Sequence, residues 1–222
     1  MQHTQETISR LINDLQQDDV FVRSQAAFVL GTLGEIAVRP LIQLLAHHNS
    51  DVRMRAAWAL GIIGTPALPA LLELAEGKDN RLRIEAIRVL GVIGESRALG
   101  QLLAALVDPD PRVSARAARA IGKIGDPRAY HPLLTALHHP EPDVRYEACR
   151  ALADLRFPEC IDSLLELAER ETDLTTWGAS VSEMARRAAT EIRSATSSST
   201  LDDDLTEIVK ALEEQSYLHH ES

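Results

Sequence analysis

The sequence repeats one pattern at a nearly constant spacing, and this repetition limits the fold more than any other feature. A Val-Arg pair, or a close variant of it, recurs at steps of 30, 30, 31 and 31 residues. The five copies are Val22-Arg23, Val52-Arg53, Leu82-Arg83, Val113-Ser114 and Val144-Arg145. Each copy is followed by a doublet of small apolar residues and then by Leu-Gly or a variant of it. A fixed period of about 30 residues indicates a solenoid, in which each unit packs only against its neighbours.

Each repeat begins with an amphipathic helix, which we name the A helix. In the second repeat Val52, Ala56, Leu60 and Ile63 fall on one face of this helix. A short polar residue lies three positions before each of the first four pairs, where its side chain can cap free N–H groups. These residues are Asp19, Asn49, Asp79 and Asp110. We expect the A helix to end at the second glycine of a Gly-x-x-Gly pair. The fifth repeat lacks these glycines, and there we expect Phe157-Pro158 to end the helix.

A second helix, the B helix, follows each A helix and carries leucine-rich positions 11, 10 and 7 residues before the next Val-Arg pair. Each A–B hairpin has one apolar face, which only stacking against a neighbouring hairpin can bury. The same spacing ahead of the first pair predicts a lone B helix at the N-terminus, formed around Ile8, Leu11, Ile12 and Leu15. The sequence therefore predicts an all-α fold, an α–α superhelix of about six helical hairpins with an N-terminal capping helix.

The predicted solenoid is a single domain that spans residues 1–222. We expect a capping helix at 1–18, five repeats over 19–169, an inserted loop at 170–182, an atypical sixth repeat at 183–216 and a tail at 217–222. Leu205, Ile208, Val209 and Leu212 repeat the apolar spacing of the capping helix. Segment 202–216 is therefore either a docked sixth B helix or a helix tethered by the Ser/Thr-rich connector before it.

Composition restricts the partners and the compartment of this chain. Hydrophobic residues make up 45% of it and aromatic residues only 4%, so the core must be aliphatic. A net charge of −10 disfavours binding to nucleic acids and to anionic membranes. No segment approaches the ~18–20 consecutive apolar residues of a membrane span, and no signal peptide is visible. Cys149 and Cys160 are interpreted as buried thiols, which fits a reducing compartment. We expect a soluble, cytoplasmic protein.

One stretch of the fourth repeat resembles a known family. Ala-Ile-Gly-Lys-Ile at 120–124, followed by Gly-Asp-Pro-Arg-Ala at 125–129, is similar to the HEAT-like repeat of the phycobilisome-lyase type. The resemblance extends over about residues 19–169. It implies an α–α superhelix, and the members of the family include phycobilin lyase subunits, proteins of phycobilisome turnover, and scaffolds or adaptors without chemistry. The motif therefore identifies the type of repeat and leaves the activity open.

No arrangement of residues in the sequence has the pattern of an active site. Deoxyhypusine hydroxylase, which is built on similar repeats, would place His-Glu pairs directly after the Val-Arg position, where this chain has no histidine. Cys149 is the residue to suspect of handling a bilin, but its place in the small-residue doublet predicts that it is buried in the core. We predict neither a cofactor nor a metal.

The most polar constellation is predicted on the concave face of the fourth and fifth B helices, and consists of His131, Thr135, Asp162 and Glu166. We interpret it as a solvated surface. Contact with a partner is the second interpretation, and a metal or catalytic site is the third.

The A helices of the first three repeats carry apolar side chains at positions that point away from the core. The candidate residues are Phe28 in repeat one, Met54, Trp58 and Ile62 in repeat two, and Ile84, Arg88 and Val92 in repeat three. An exposed apolar patch marks an interaction site, and tryptophan beside arginine is typical of binding hot spots. We therefore predict a protein-binding patch on the outer face of repeats one to three. The alternative is that superhelical curvature, or an end element that folds over, buries part of it.

These features favour a non-enzymatic scaffold, adaptor or chaperone that binds another protein, or a second copy of the same chain as a homodimer. The alternative, which the family resemblance alone carries, is a phycobilin lyase subunit or a factor for phycobilisome processing or degradation. A metal-dependent enzyme is a third class.

Overall fold

Helices of two kinds alternate along residues 2–197, the part of the chain that the computed structural model describes. The A helices are α2 (Val20–Thr32), α4 (Ser50–Ile63), α6 (Asn80–Ile93), α8 (Pro111–Ile124), α10 (Pro142–Leu155) and α12 (181–197). The B helices are α1 (Gln2–Asp14), α3 (Val38–Leu44), α5 (Leu68–Ala75), α7 (Leu99–Leu106), α9 (Tyr130–Ala136) and α11 (Ile161–Arg170). A short 3-10 turn joins each of the first five A helices to its B helix. The predicted all-α solenoid is confirmed. Segment 202–216, the predicted sixth B helix, lies outside the described residues.

The predicted N-caps are confirmed at all four positions. The Asp19 carboxylate accepts hydrogen bonds from the backbone N–H groups of Phe21 and Val22, at 2.7 and 3.2 Å. Asn49, Asp79 and Asp110 cap α4, α6 and α8 in the same way. Because the first N–H groups of a helix have no partner within it, such a cap stabilises each helix by about 0.5–2 kcal/mol.

The A helices α6, α8 and α10 each end in a left-handed residue, and α10 achieves this without glycine. Gly94 and Gly125 follow α6 and α8 with φ angles of 74° and 70°. In the fifth repeat Arg156 takes the same conformation, with φ at 58°, and its N–H donates to the carbonyl of Leu152. The prediction that Phe157-Pro158 ends this helix is therefore wrong, because α10 already stops at Leu155.

The arginine of the Val-Arg pair donates hydrogen bonds to the carbonyl groups at the C-terminal end of the preceding B helix. Arg53 Nη1 donates to the carbonyls of His47 and His48 at 2.8 and 2.9 Å. Arg23, Arg83 and Arg145 make the corresponding bonds in their repeats. In the fourth repeat the variant Ser114 donates its hydroxyl to the carbonyl of Asp108 at 3.0 Å. Since the last carbonyls of a helix lack partners within it, this side chain explains why the pair recurs.

A single aliphatic core runs through all the hairpins. Its largest fully buried side chains are leucines and isoleucines of both layers, among them Leu30, Leu60, Leu90, Ile121 and Leu133. Val181, Met184, Ala188 and Ile192 continue it into α12. The apolar face that each hairpin cannot bury by itself is thus covered by its neighbours.

Neighbouring A helices lie closer together than neighbouring B helices. A Cβ atom added to Gly91 would lie 2.8 Å from the Cα atom of Ala120, and one on Gly122 would lie 2.6 Å from the Cα atom of Ala151. Only glycine allows two backbones to approach so closely. Because the layer with the smaller spacing is the inside of a curved stack, we infer that the A helices line the inner face of the solenoid and the B helices its outer face.

Candidate functional site

The residues of the predicted protein-binding patch lie on the inner face, because all of them belong to A helices. We name its apolar members, Phe28, Met54, Trp58, Ile62, Ile84 and Val92, the inner stripe. The sequence analysis placed this patch on the outer face, whereas the close packing of the A helices favours the inner face. Helical periodicity shows which side chains point away from the core, but it does not show towards which side the stack curves.

Curvature does not bury the inner stripe. Trp58 is 43% exposed and Phe28 is 54% exposed, and their ring centroids lie 6.4 Å apart. Met54 beside them is also exposed, whereas Ile84 is half-buried. An aromatic pair with this much free surface offers a large contact area at a small cost in conformational entropy.

Two members of the inner stripe also hold neighbouring repeats together. A Cβ atom added to Gly31 would lie 2.8 Å from the Cβ atom of Ile62, and one on Gly61 would lie 2.9 Å from Cγ1 of Val92. Ile62 and Val92 therefore occupy the space that these glycines leave free on the previous A helix. Phe28, Met54 and Trp58 are the members whose exposure has no such structural reason.

The loop 171–180 extends the apolar surface towards the C-terminal repeats. Thr176 donates its N–H and its hydroxyl to the two carboxylate oxygens of Asp143, each at 2.7 Å. These bonds hold Trp177 against Tyr146, edge to face, with ring centroids 5.6 Å apart. Trp177 and Ile84 line the same cleft of about 330 Å³. The sequence placed Trp177 in an inserted loop but gave no signal that this loop folds onto the inner face.

Cations replace the apolar side chains on the inner face of repeats three to five. We name Arg88, Arg116, Arg119, Lys123 and Arg150 the basic cluster. Arg88 pairs with Glu85 and Arg119 pairs with Asp154, both at 2.7 Å, while Arg150 lies 3.5 Å from Glu147. Among the described residues, Arg116 and Lys123 have no ion-pair partner within 4.0 Å. The cluster therefore carries positive charge that nearby carboxylates do not neutralise.

Burial is the largest cause of the pKa shifts in and beside the basic cluster. Burial, followed by repulsion from Arg119, Arg116, Arg88 and Arg150, lowers the pKa of Lys123. Burial, followed by repulsion from Arg88, likewise lowers the pKa of Arg116, although Glu147 and Glu85 act against this. Burial raises the pKa of Glu147, whose Oε2 atom has no hydrogen-bond partner among the described residues. Arg116 and Lys123 would gain from a ligand that brings carboxylates to them.

The second predicted constellation lies on the outer face, because it belongs to the B helices α9 and α11. The sequence analysis placed it on the concave face, whereas the close packing of the A helices favours the outer, convex face for α9 and α11. Thr135 donates its hydroxyl to the carbonyl of His131 at 3.1 Å, and the His131 ring lies 5.1 Å from that of Tyr130. Asp162 and Glu166 are exposed on α11. No bond in the described part of the chain joins these two carboxylates to His131 or Thr135.

The two cysteines are buried in the core, as the sequence predicts. Both are free thiols, and burial raises the pKa of Cys149 to about 12 and that of Cys160 to about 11. The Cys160 thiol donates to the carbonyl of Phe157 at 3.0 Å. A thiol with such a pKa supplies almost no thiolate at neutral pH, so neither is placed to act as a nucleophile.

The structure of residues 2–197 also bears on metal binding and on membrane insertion. No group of three or more His, Cys, Asp or Glu side chains in this range is arranged to hold a metal ion. No single helix in it is long and apolar enough to span a membrane, and Ser50–Ile63 with Thr65–Ala75 reaches that length only as a pair bent by 114°.

The comparisons with known proteins place this geometry among helical repeats. A model of HEAT repeats matches residues 8–83, 68–139 and 130–213. No curated protein matches the chain significantly. The chain is similar to the solved structure of the complex of CpcE and CpcF of phycocyanin lyase from Nostoc sp. PCC7120, with 26% identity and a TM-score of 0.60. That match covers 69% of this chain and 98% of the other.

A second solved structure is similar in fold alone. Kap121p matches with a TM-score of 0.67 and 15% identity, over 94% of this chain. The chain spans 28% of the length of Kap121p.

Proposed function

Because the chain belongs to the HEAT-repeat family, we propose that it is a non-enzymatic scaffold, adaptor or chaperone that binds another protein through its inner face. The observation that carries this proposal is the exposed Phe28–Trp58 pair on the concave side of a rigid array. Concave surfaces of solenoids are their usual binding surfaces, and large exposed apolar patches rarely persist without a partner. The buried free thiols support our expectation of a reducing compartment such as the cytoplasm.

Binding through the inner stripe makes Trp58 the anchor of the interface. The residue lies at the centre of the stripe, with Phe28 on one side and Ile84 on the next A helix. Arg88, which the sequence analysis counted with the stripe, is held by Glu85 at its edge. A central aromatic residue surrounded by apolar neighbours and a polar rim is the usual arrangement of a hot spot.

Replacing Trp58 with glutamate is expected to weaken the association at least about 30-fold, because truncating a hot spot typically costs about 2 kcal/mol or more. The helix content of the protein should not change, since the side chain is not part of the core. Quantitative co-purification from the native source measures the association with another protein. Analytical ultracentrifugation of the pure protein measures association between copies of the chain.

Val107→Glu is the matched control for this experiment. Val107 is 79% exposed and lies after the B helix α7, away from the inner face. The same charge at this position should leave the association unchanged. Equal retention of the partner by wild type, Trp58→Glu and Val107→Glu would refute the proposal.

The alternative function is a phycobilin lyase subunit or a factor for phycobilisome processing or degradation. The likeness to the CpcE–CpcF complex, at 26% identity over 69% of the chain, is the observation that favours it. In this case the inner face would bind a second repeat subunit or a phycobiliprotein. Co-expression with a bilin and an apo-phycobiliprotein distinguishes the two functions. Visible absorbance that follows the phycobiliprotein supports the alternative, and its absence beside a working control lyase excludes lyase activity on that pair.

A further inference from the structure

The basic cluster is positively charged, whereas the chain as a whole is negatively charged. The protein has a net charge of −10, yet five cations gather on one face of three neighbouring A helices. Only three carboxylates pair with them, and Arg116 and Lys123 are left without an ion pair among the described residues. Clustering like charges is unfavourable unless an opposite charge compensates for it. An acidic occupant would therefore stabilise the cluster.

The shape of the site restricts this occupant further. Ile84, Ala115 and Trp177 line the cleft of about 330 Å³ together with three cations, Arg112, Arg116 and Arg119. Asp143 and Glu147 also line it, but Asp143 is hydrogen-bonded to Thr176, and burial raises the pKa of Glu147. A second cleft of about 300 Å³ continues from Arg119 past Arg150 to Arg187 on α12. An occupant with an apolar ridge and with carboxylates along its flanks would match the apolar walls and the cations of these clefts.

The sequence after the described residues has this chemistry. Residues 198–222 contain seven carboxylates and one lysine, which give −6 of the chain's −10. Within 202–216 the apolar residues Leu205, Ile208, Val209 and Leu212 follow helical spacing, and acidic residues surround them. Asp202, Asp203 and Asp204 directly precede this pattern.

The segment is also long enough to reach the basic cluster from the end of α12. A 15-residue helix is about 22 Å long, and residues 198–201 can span up to about 14 Å. Packed helices lie about 8–10 Å apart, so α8 is roughly 16–20 Å from α12 across α10. Lys123 lies in the last turn of α8, and the described chain stops at the corresponding end of α12. A helix that crosses the inner face from this end reaches the basic cluster.

We propose that segment 202–216 docks in cis onto the inner face of repeats three to six, with its carboxylates on the basic cluster and its apolar ridge between Ile84 and Trp177. This placement replaces the docked sixth B helix that the sequence analysis considered. If the inner face also binds a partner, as proposed above, the segment is an internal ligand that an acidic partner must displace. The docking itself does not depend on that function.

Zero-length crosslinking tests this proposal specifically, because the chain contains only three lysines and each crosslink can be assigned to one of them. Lys78 and Lys123 lie in the described part of the chain, and Lys210 lies in the segment itself. A carbodiimide joins a lysine amine to a carboxylate that touches it. In the full-length monomer we expect mass spectrometry to find Lys123 joined to one or more of Asp202, Asp203, Asp204 and Glu207. Lys78, which lies between α5 and α6, should form no crosslink with the segment.

Three outcomes would overturn the proposal. If Lys123 crosslinks only to neighbours such as Asp154, its amine is reactive but does not contact the segment. A crosslink between Lys210 and Asp162 or Glu166 on α11 would show that the segment packs beside α11 as a sixth B helix instead. Crosslinks from Lys123 found only in a dimer band would assign the segment to a second copy of the chain.

A charge reversal separates docking from random encounters. Arg116→Glu is expected to reduce the Lys123–segment crosslink at least fivefold, and 0.5 M salt should reduce it in the wild type. Arg39→Glu, an exposed change on the B helix α3, is the matched control and should have no effect. Circular dichroism verifies that both variants stay folded. A crosslink that Arg116→Glu leaves intact contradicts the proposal. Because no partner is present, its failure would not affect the proposed scaffold function.

Discussion

Replacing Arg145 with leucine is expected to destabilise the C-terminal repeats by about 3–5 kcal/mol, the usual cost of removing one partner of a buried ion pair. Arg145 is 9% exposed and donates to Glu171 at 2.6 Å and to Asp173 at 2.7 Å. It also donates to the carbonyls of His139 and Pro140, which would lose their partner. The substitution therefore leaves the buried Glu171 carboxylate without its arginine partner and leaves the carbonyls after α9 without a hydrogen-bond donor.

Urea unfolding followed by circular dichroism measures this loss, and hydrogen exchange locates it. Because each repeat contacts only its neighbours, exchange should rise in α10 to α12 and stay unchanged in α2 and α4. Arg39→Leu, an exposed change on α3, should alter the free energy of unfolding by less than about 0.5 kcal/mol. A similar value for Arg145→Leu would contradict the role assigned to this arginine.

The pH dependence of the loss has a defined sign. Burial acts to raise the pKa of Glu171, but hydrogen bonds from Arg145 and from backbone N–H groups outweigh it, so the pKa lies below its usual value. In the wild type this group therefore stabilises the protein at neutral pH, and its contribution is lost as the pH falls through the lowered pKa. Without Arg145 the buried carboxyl prefers its neutral form. The destabilisation by Arg145→Leu should therefore shrink between pH 7 and pH 4.

Replacing Gly122 with alanine is expected to cost about 2–3 kcal/mol, although alanine is the better helix former. The new Cβ atom would lie 2.6 Å from the Cα atom of Ala151 and 2.8 Å from its Cβ atom. Backbone atoms cannot move aside as a flexible side chain can, so α8 and α10 must separate.

Two other glycines provide graded controls for this change. At Gly61 the nearest atom is Cγ1 of Val92, at 2.9 Å, which can rotate away, so Gly61→Ala should cost less than Gly122→Ala. Gly100 lies exposed in α7 with nothing within 4 Å of the added atom, and Gly100→Ala should stabilise by about 0.5–1 kcal/mol. Urea unfolding gives the order of the three variants. A neutral Gly122→Ala would contradict the close packing of the inner layer.

Most of the fold could be predicted from the sequence because local signals and the repeat period agree. The caps at Asp19, Asn49, Asp79 and Asp110 and the buried faces of both helices follow from residue types at fixed spacings. The end of α10 was missed because Arg156 accepts a left-handed conformation that usually selects glycine. Arginine carries no sequence signal for this conformation.

The site was only partly predictable. Periodicity identified the exposed stripe around Trp58, but the direction of curvature depends on how closely neighbouring helices pack, which no single helix encodes. The sequence analysis did not identify the basic cluster, because Arg88, Arg119 and Arg150 lie on three different A helices that only the stacking brings together. Trp177 was unpredictable because its position depends on the hydrogen bonds from Thr176 to Asp143, across 33 residues of sequence.

The central claim is that the inner face is the surface that binds a protein partner, and site-specific photo-crosslinking tests it most directly. A photoreactive phenylalanine analogue at position 58 lies on the inner stripe, and the same analogue at position 107 lies far from it. After irradiation in native lysate, we expect a discrete crosslinked protein from position 58 and none from position 107. A partner captured from position 107, with position 58 unlinked, would contradict the claim.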